Sequence, residues 1–196
     1  LERVQFRMPV FYDIHGDELS APASAGQSLA ADLAMRHLRD LGHTAIAHVA
    51  GPPGWDSAAR REAAYRAHMA ALGREALVLG RGDWSAASGY RAMSQEVSLA
   101  DATAVFVAND RMALGVMRAL HERGIDVPTD LSIVGIDDIP ESAYFLPPLT
   151  TVHVDFARSG RVAAQSLISM IESPDAPLPG YPQPTLVPRE STTARH

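Results

Sequence analysis

The sequence predicts an α/β fold, a parallel sheet with helices on both faces. Three observations point there. Short β-branched runs alternate with helical stretches through most of the 196 residues. The connections between them are short. The strand runs are continuously apolar instead of alternating, as strands covered on both faces are.

Taken in order, Pro9-Val10-Phe11-Tyr12 reads as a strand. A helix follows with Ala30, Leu33, Ala34, His37, Leu38 and Leu41 on one face at a 3.6-residue period, and Gly42 stops it. Ala45 to Val49 is the next strand. Ser57 is the expected cap of a helix running to about Leu72 and closed by Gly73. Glu75 to Leu79 reads as a strand, Ser85 to Val97 as a helix and Thr103 to Val107 as a strand. Asn109 or Asp110 then caps a helix whose buried face is Ala113, Val116, Met117 and Leu120, ended by Gly124. Leu131 to Ile136 is the strand after it. Thr150 to Val154 is extended, and Asp155 caps a long helix with Phe156, Gly160, Ala163, Ala164, Leu167, Ile168 and Ile171 on one face. A run rich in proline, from Pro174 to Pro184, breaks regular structure before a last short strand at Thr185-Leu186-Val187.

Composition narrows the function. The chain is 46% hydrophobic, enough for a real core, and carries a formal charge of −6. All 17 of its basic residues are arginine. An acidic chain with scattered arginines offers no footprint for a phosphate backbone, so these residues are not expected to bind nucleic acid by themselves. With no cysteine, disulfides, thiolate metal sites and a cysteine nucleophile are excluded. No apolar run approaches the roughly 20 residues of a membrane span, and no secretion leader is expected at Leu1.

In parallel α/β sheets, ligands bind outside the carboxyl ends of the strands. The polar residues just past each predicted strand are Asp13, the Gly51–Asp56 loop with Arg60 and Arg61 beyond it, Gly82-Asp83-Trp84, Asn109-Asp110 and Asp137-Asp138. Carboxylates, an asparagine, an arginine and a tryptophan converging on one crevice suit a neutral polyhydroxylated ligand. The carboxylates and asparagine bond hydroxyl pairs, the arginine forks across two oxygens and the indole covers the C–H face of a sugar ring. Each residue also has a plainer role: Arg61 on a solvated surface, Trp84 in the core, Asn109 and Asp110 as helix caps, Asp137 and Asp138 as turn residues. The set carries the inference, more than any member.

Enzyme chemistry finds no foothold. The eight histidines show no HExxH spacing, and there is no Gly-x-Ser-x-Gly elbow and no Walker loop. Gly80-Arg81-Gly82 lacks the third glycine of a dinucleotide fingerprint, and Asp137-Asp138 lacks a third metal ligand nearby. No enzyme activity, cofactor or metal is expected.

The run Val105 to Gly115 (VFVANDRMALG) resembles a signature of the LacI/GalR family of sugar-responsive bacterial transcription regulators. So do Val127 to Asp138 (VPTDLSIVGIDD), Pro147 to Val152 (PPLTTV) and the closing Arg189-Glu190-Ser191-Thr192. Leu41-Gly42-His43, Ile46-Ala47 and Gly51-Pro52 fit the same pattern. Gly82-Asp83-Trp84-Ser85-Ala86 and Ser57-Ala58, with Arg61 beyond, place the nearest resemblance with a galactoside-responsive member. Carried over by position, the resemblance implies effector contacts at Asp13, Arg61, Trp84, Asn109 and Asp137. Two pocket-wall positions depart from that member: Ala25 stands in place of an aromatic residue and Val154 in place of a glutamine. A galactoside or a related sugar is therefore the implied effector. Leu114, Met117 and Phe145 resemble the family's dimer contact, or are ordinary core.

The resemblance implies a two-lobed, periplasmic-binding-protein-like fold of type I, its amino-terminal lobe incomplete in this sequence. Residues 1–25 would end that lobe, 26–152 would form the carboxyl-terminal lobe, 153–183 would return to the first, and 184–196 would cross back as strand and tail. Apolar faces such as Phe156 and Ile168 would then be poorly covered. The implied function is that of the sugar-sensing, dimerising part of a cytoplasmic repressor. It would reach operator DNA only through a helix-turn-helix headpiece that this sequence does not contain. A periplasmic sugar-binding protein of a transport system is the alternative.

Overall fold

A computed structural model of the chain describes residues 22–94, 99, 101–173 and 177–195, the first four in backbone only. The chain runs α1 (Pro22–Asp40), β1 (Ile46–Ala50), α2 (Asp56–Ala71), β2 (Leu77–Arg81), α3 (Ala86–Ser94), β3 (Ala104–Val107), α4 (Asp110–Glu122) and β4 (Ser132–Val134). After these come a 3₁₀ turn (Pro140–Tyr144), β5 (Thr151–His153), α5 (Phe156–Glu172) and β6 (Thr185–Val187). The strand expected at Pro9–Tyr12 lies outside the described residues.

The four strands β1 to β4 form a parallel sheet in the order β2-β1-β3-β4, as the apolar strand runs predict. Side chains alternate across the pleat, and both faces are buried. Ala47, Val49, Val105, Val107 and Ile133 pack with Met112, Val116 and Leu120 of α4 on one face. Ile46, Phe106 and Val134 pack with Leu38 of α1 and Tyr65 and Met69 of α2 on the other. Because β2 and β3 flank β1 on opposite sides, the strand order reverses at β1, and a crevice opens at the carboxyl end of the sheet, bordered by residues that follow β2, β3 and β4.

The carboxyl-terminal segment closes the β4 edge. Ile133 donates its N–H to the Ser191 carbonyl, the Ser191 hydroxyl donates to the Ile133 carbonyl, and the Thr150 N–H donates to the Ser191 hydroxyl. Strands β5 and β6 pair antiparallel beside it. Helix α5 contributes only Val162 and Ser166 to the interior, leaving Phe156, Ile168 and Ile171 more than half exposed.

Helix starts mix agreement and correction. Asn109 caps α4 by accepting the Met112 N–H, and Asp155 caps α5 by accepting the Arg158 N–H. Helix α2 is capped by Trp55, with no side-chain bond, and not by Ser57. The Pro52-Pro53-Gly54 turn delivers the chain in helical geometry two residues earlier, so Ser57 lies inside the helix and is buried. The strands also shift: β2 starts at Leu77 and not Glu75, and β4 is confined to Ser132–Val134.

Candidate functional site

Arg61 lies in the second turn of α2, below the loop that leaves β1, and is 3% exposed. Its Nη2 donates to Asp137 Oδ1 at 3.2 Å and, with Nε, to Gln27 Oε1 of α1 at 2.6 and 3.0 Å. Nη1 donates to the Ala108 carbonyl at the end of β3. The guanidinium also sits 5.6 Å from the centroid of the Trp84 ring. Such a buried cation needs these partners, because an unpaired charge there would be costly. Burial pushes the Asp137 carboxyl above its ordinary range, and the Arg61 charge and hydrogen bond pull it back.

Trp84, Asp137 and Asp138 are the non-glycine residues with positive φ among those described, at 70°, 117° and 54°. All three border the crevice. Backbone held in this region costs of order 1–3 kcal/mol and persists where the surroundings fix it, typically at a site. A Cβ on Gly51 would come within 2.5 Å of the Trp84 ring, so only glycine lets the indole lie against the end of β1. The Asn109 side chain divides its bonds: Oδ1 caps α4, and Nδ2 donates to the Trp84 carbonyl at 3.3 Å. The Trp84 Nε1 is buried and has no hydrogen-bond partner among the described residues.

Trp84, Asn109 and Asp137 border a cavity of about 530 Å³, together with Arg111, Val154 and Phe156, and Arg61 lies behind its wall, bonded to Asp137. Its volume suits one small ligand. Its polar groups come from the start of α4, with Asn109 and Arg111, and from the turn after β4, with Asp137 and Asp138, while the indole supplies an apolar wall.

Of the sequence-predicted residues, Arg61, Trp84, Asn109 and Asp137 come together, and Val154 borders the same cavity. Asp13 lies outside the described residues, as does the Ala25 side chain. Asp110 serves the framework. Its carboxylate accepts the hydroxyls of Thr151 and Ser142 at 2.6 and 2.7 Å and the Ile139 N–H at 3.1 Å. Burial raises it to about 6 despite those bonds. Asp138 is held by Arg189 at 2.6 Å and His153 at 3.1 Å. Met117 and Phe145 are core residues, so the exposed apolar surface near that place is Leu114, Tyr144 and Leu146. Sequence reasoning missed Gln27, which orients Arg61 from 34 residues away and has no local motif to mark it. Arg111 belongs to the VFVANDRMALG run, yet only the fold shows it at the cavity.

A parallel sheet with a built cleft at its switch point is the architecture of ligand-binding lobes, and comparison with known proteins agrees. Residues 35–192 match the family model of the periplasmic binding protein-like domain, and the chain belongs to that family. Its relatives are LacI-family repressors. It is 40% identical over 139 residues to the lactose operon repressor of Escherichia coli (strain K12), covering 70% of this chain and 39% of that one. It is 39% identical over 150 residues to the ribose operon repressor of the same strain, covering 74% and 45%. A lac repressor dimer bound to operator and the anti-inducer ONPF superposes with a TM-score of 0.78 at 35% identity, covering 86% of this chain and 51% of that one. The chain thus spans about half the length of these proteins or less. They are transcriptional repressors, not enzymes.

Proposed function

We propose that this chain is the effector-binding and dimerisation part of a LacI-type repressor, with a sugar, a galactoside or a related one, as inducer. Residues 26–152 are the carboxyl-terminal lobe, and residues 1–25 and 153–183 belong to the other. The observation that carries this reading is the single cluster made by Arg61, Asp137, Trp84 and Asn109. Asp137 and Asn109 are positioned to bond sugar hydroxyls, and Trp84 covers the ring. Asp13 joins them from the other lobe. Ala25 and Val154 shape the wall, where the absence of an aromatic residue and a glutamine widens the pocket and removes one hydrogen-bonding side chain.

Sugar binding between two lobes changes their relative angle, and in a dimer this changes the spacing of two headpieces on an operator. The coupling required is about 1–3 kcal/mol and acts equally on sugar and DNA affinity. Such a protein works in the cytoplasm, beside the DNA it controls. Among the described residues no helix is long and apolar enough to cross a membrane. The repressor relatives favour this reading over a transport-linked sugar-binding protein.

Calorimetric titration of the chain with lactose, galactose and ribose tests the site. Each charge-assisted bond is worth about 1.5–3 kcal/mol. Arg61→Ala and Asp137→Ala are therefore expected to weaken binding about ten- to a hundredfold. Equal affinity in variants and parent overturns the assignment.

A further inference from the structure

The first turns of α2 and the end of β2 enclose a second groove, of about 540 Å³, lined by Trp55, Ala58, Ala59, Glu62, Arg66 and Arg81. We propose that it binds a flat apolar ring bearing one oxyanion, a carboxylate or a phosphate.

The groove has an apolar half and a cationic half. Alanines form its wall along α2, Pro52 and Pro53 stiffen its rim, and Trp55 is 39% exposed. At the other end Glu62, 9% exposed, accepts two arginines at once. Arg66 donates from Nε and Nη2 at 3.0 and 2.8 Å, and Arg81 from Nη1 and Nη2 at 2.5 and 3.0 Å. One carboxylate against two guanidiniums leaves a local charge of +1 in a chain that is negative overall. Arg81 and Arg66 hold the Glu62 carboxyl below its ordinary range, so it stays ionised, and the two guanidiniums stay protonated, so the net +1 holds at neutral pH.

Each guanidinium has five N–H donors, and Glu62 engages only part of them. The two arginines are about half exposed and make no other hydrogen bond among the described residues. Because Glu62 already fixes them, an incoming oxyanion meets donors whose side-chain freedom is spent. Two oxygens fit a guanidinium fork, and a flat ring fits the Trp55 face. A neutral ring would leave the cationic end unanswered. Trp55 also meets the Trp84 ring edge-on at 6.0 Å, so the groove and the cleft share a wall.

The chain has two tryptophans, one at each site, and the ¹⁵N-labelled chain gives two indole N–H signals, of which a ligand in the groove moves that of Trp55 most. The Trp55 signal is assigned from its loss in Trp55→Phe. Titration with phenyl phosphate and with benzoate is expected to move the Trp55 signal saturably. Benzyl alcohol, the neutral control, is expected to leave it in place. Arg66→Ala keeps Glu62 paired to Arg81, so it preserves the fold and is expected to weaken binding about tenfold. Tighter binding of phenyl phosphate marks a phosphorylated ring as the ligand, and tighter binding of benzoate a carboxylated one. A shift confined to Trp84, no saturable shift, equal binding of benzyl alcohol, or an Arg66→Ala chain that binds as well as the parent each overturns the proposal. Sugar binding at the cleft is read independently, by the calorimetric titration.

Discussion

Two buried ionisable side chains push the pH dependence of stability in opposite directions. His48 sits in the middle of β1, stacked on Phe106 with centroids 4.7 Å apart, and its Nδ1 bonds the Phe106 carbonyl at 2.8 Å. Its Nε2 has no partner among the described residues. Burial lowers its pKa from 6.5 to about 4, outweighing the Phe106 carbonyl bond. The unfolded chain therefore binds the extra proton first. The contribution of His48 to stability is complete above about pH 6.5 and is lost as pH falls through about 4. Asp110, raised from 3.8 to about 6, does the reverse: its contribution is complete below about 3.8 and is lost as pH rises through about 6. The two nearly cancel between pH 4 and 6. In Asp110→Asn, stability measured by urea unfolding is expected to rise with pH over that window by on the order of 2–3 kcal/mol. In His48→Leu it is expected to fall by a similar amount. A flat profile in both variants refutes the account.

At the scale of elements, α3 and α4 pack backbone against backbone, and this contact depends on two glycines. A Cβ on Gly115 would come within 1.8 Å of the Ala86 carbonyl oxygen, and one on Gly89 within 2.1 Å of the Met112 oxygen. Both obstacles are backbone and cannot rotate away. Gly115→Ala is expected to cost about 2–3 kcal/mol or more, read as a lower urea midpoint. A Cβ on Gly160, inside α5, would meet no atom within 4 Å. Gly160→Ala is therefore expected to stabilise by about 0.5–1 kcal/mol through helix propensity alone. The same residue type in two helices gives opposite signs, because one packs against a backbone and the other faces open space.

At the scale of the whole molecule, the large apolar side chains that are at least 44% exposed among the described residues fall in two places. One is α5, with Phe156, Ile168 and Ile171; the other is Leu114, Tyr144 and Leu146, where α4 lies near the 3₁₀ turn. Tyr144 and Leu146 are 84% and 93% exposed, which suits the proposed dimer contact more than a solvated loop. Tyr144→Glu with Leu146→Glu is expected to reduce the sedimentation coefficient of the chain to that of a monomer and leave sugar affinity within about twofold, since neither residue borders the cleft. An unchanged coefficient for a parent dimer would move the contact elsewhere.

The sequence by itself determined the parallel α/β architecture, because continuous apolar strands and 3.6-residue helix faces are local patterns that a covered sheet requires. It also located Arg61, Trp84, Asn109 and Asp137, since each follows a strand and parallel strands all end on one side. Asp155 as a cap was legible from the neighbouring residues alone, whereas the choice of Asn109 over Asp110 was made by the structure. Only the tertiary structure decided what those side chains do. Arg61 meets Asp137 across 76 positions and Gln27 across 34, and no periodicity encodes such pairings. It likewise turned Asp110 into a framework carboxylate and put Met117 and Phe145 in the core. The reason is physical: hydrophobic period and turn chemistry act over a few residues, whereas charge pairing and burial depend on which distant segments the sheet brings together.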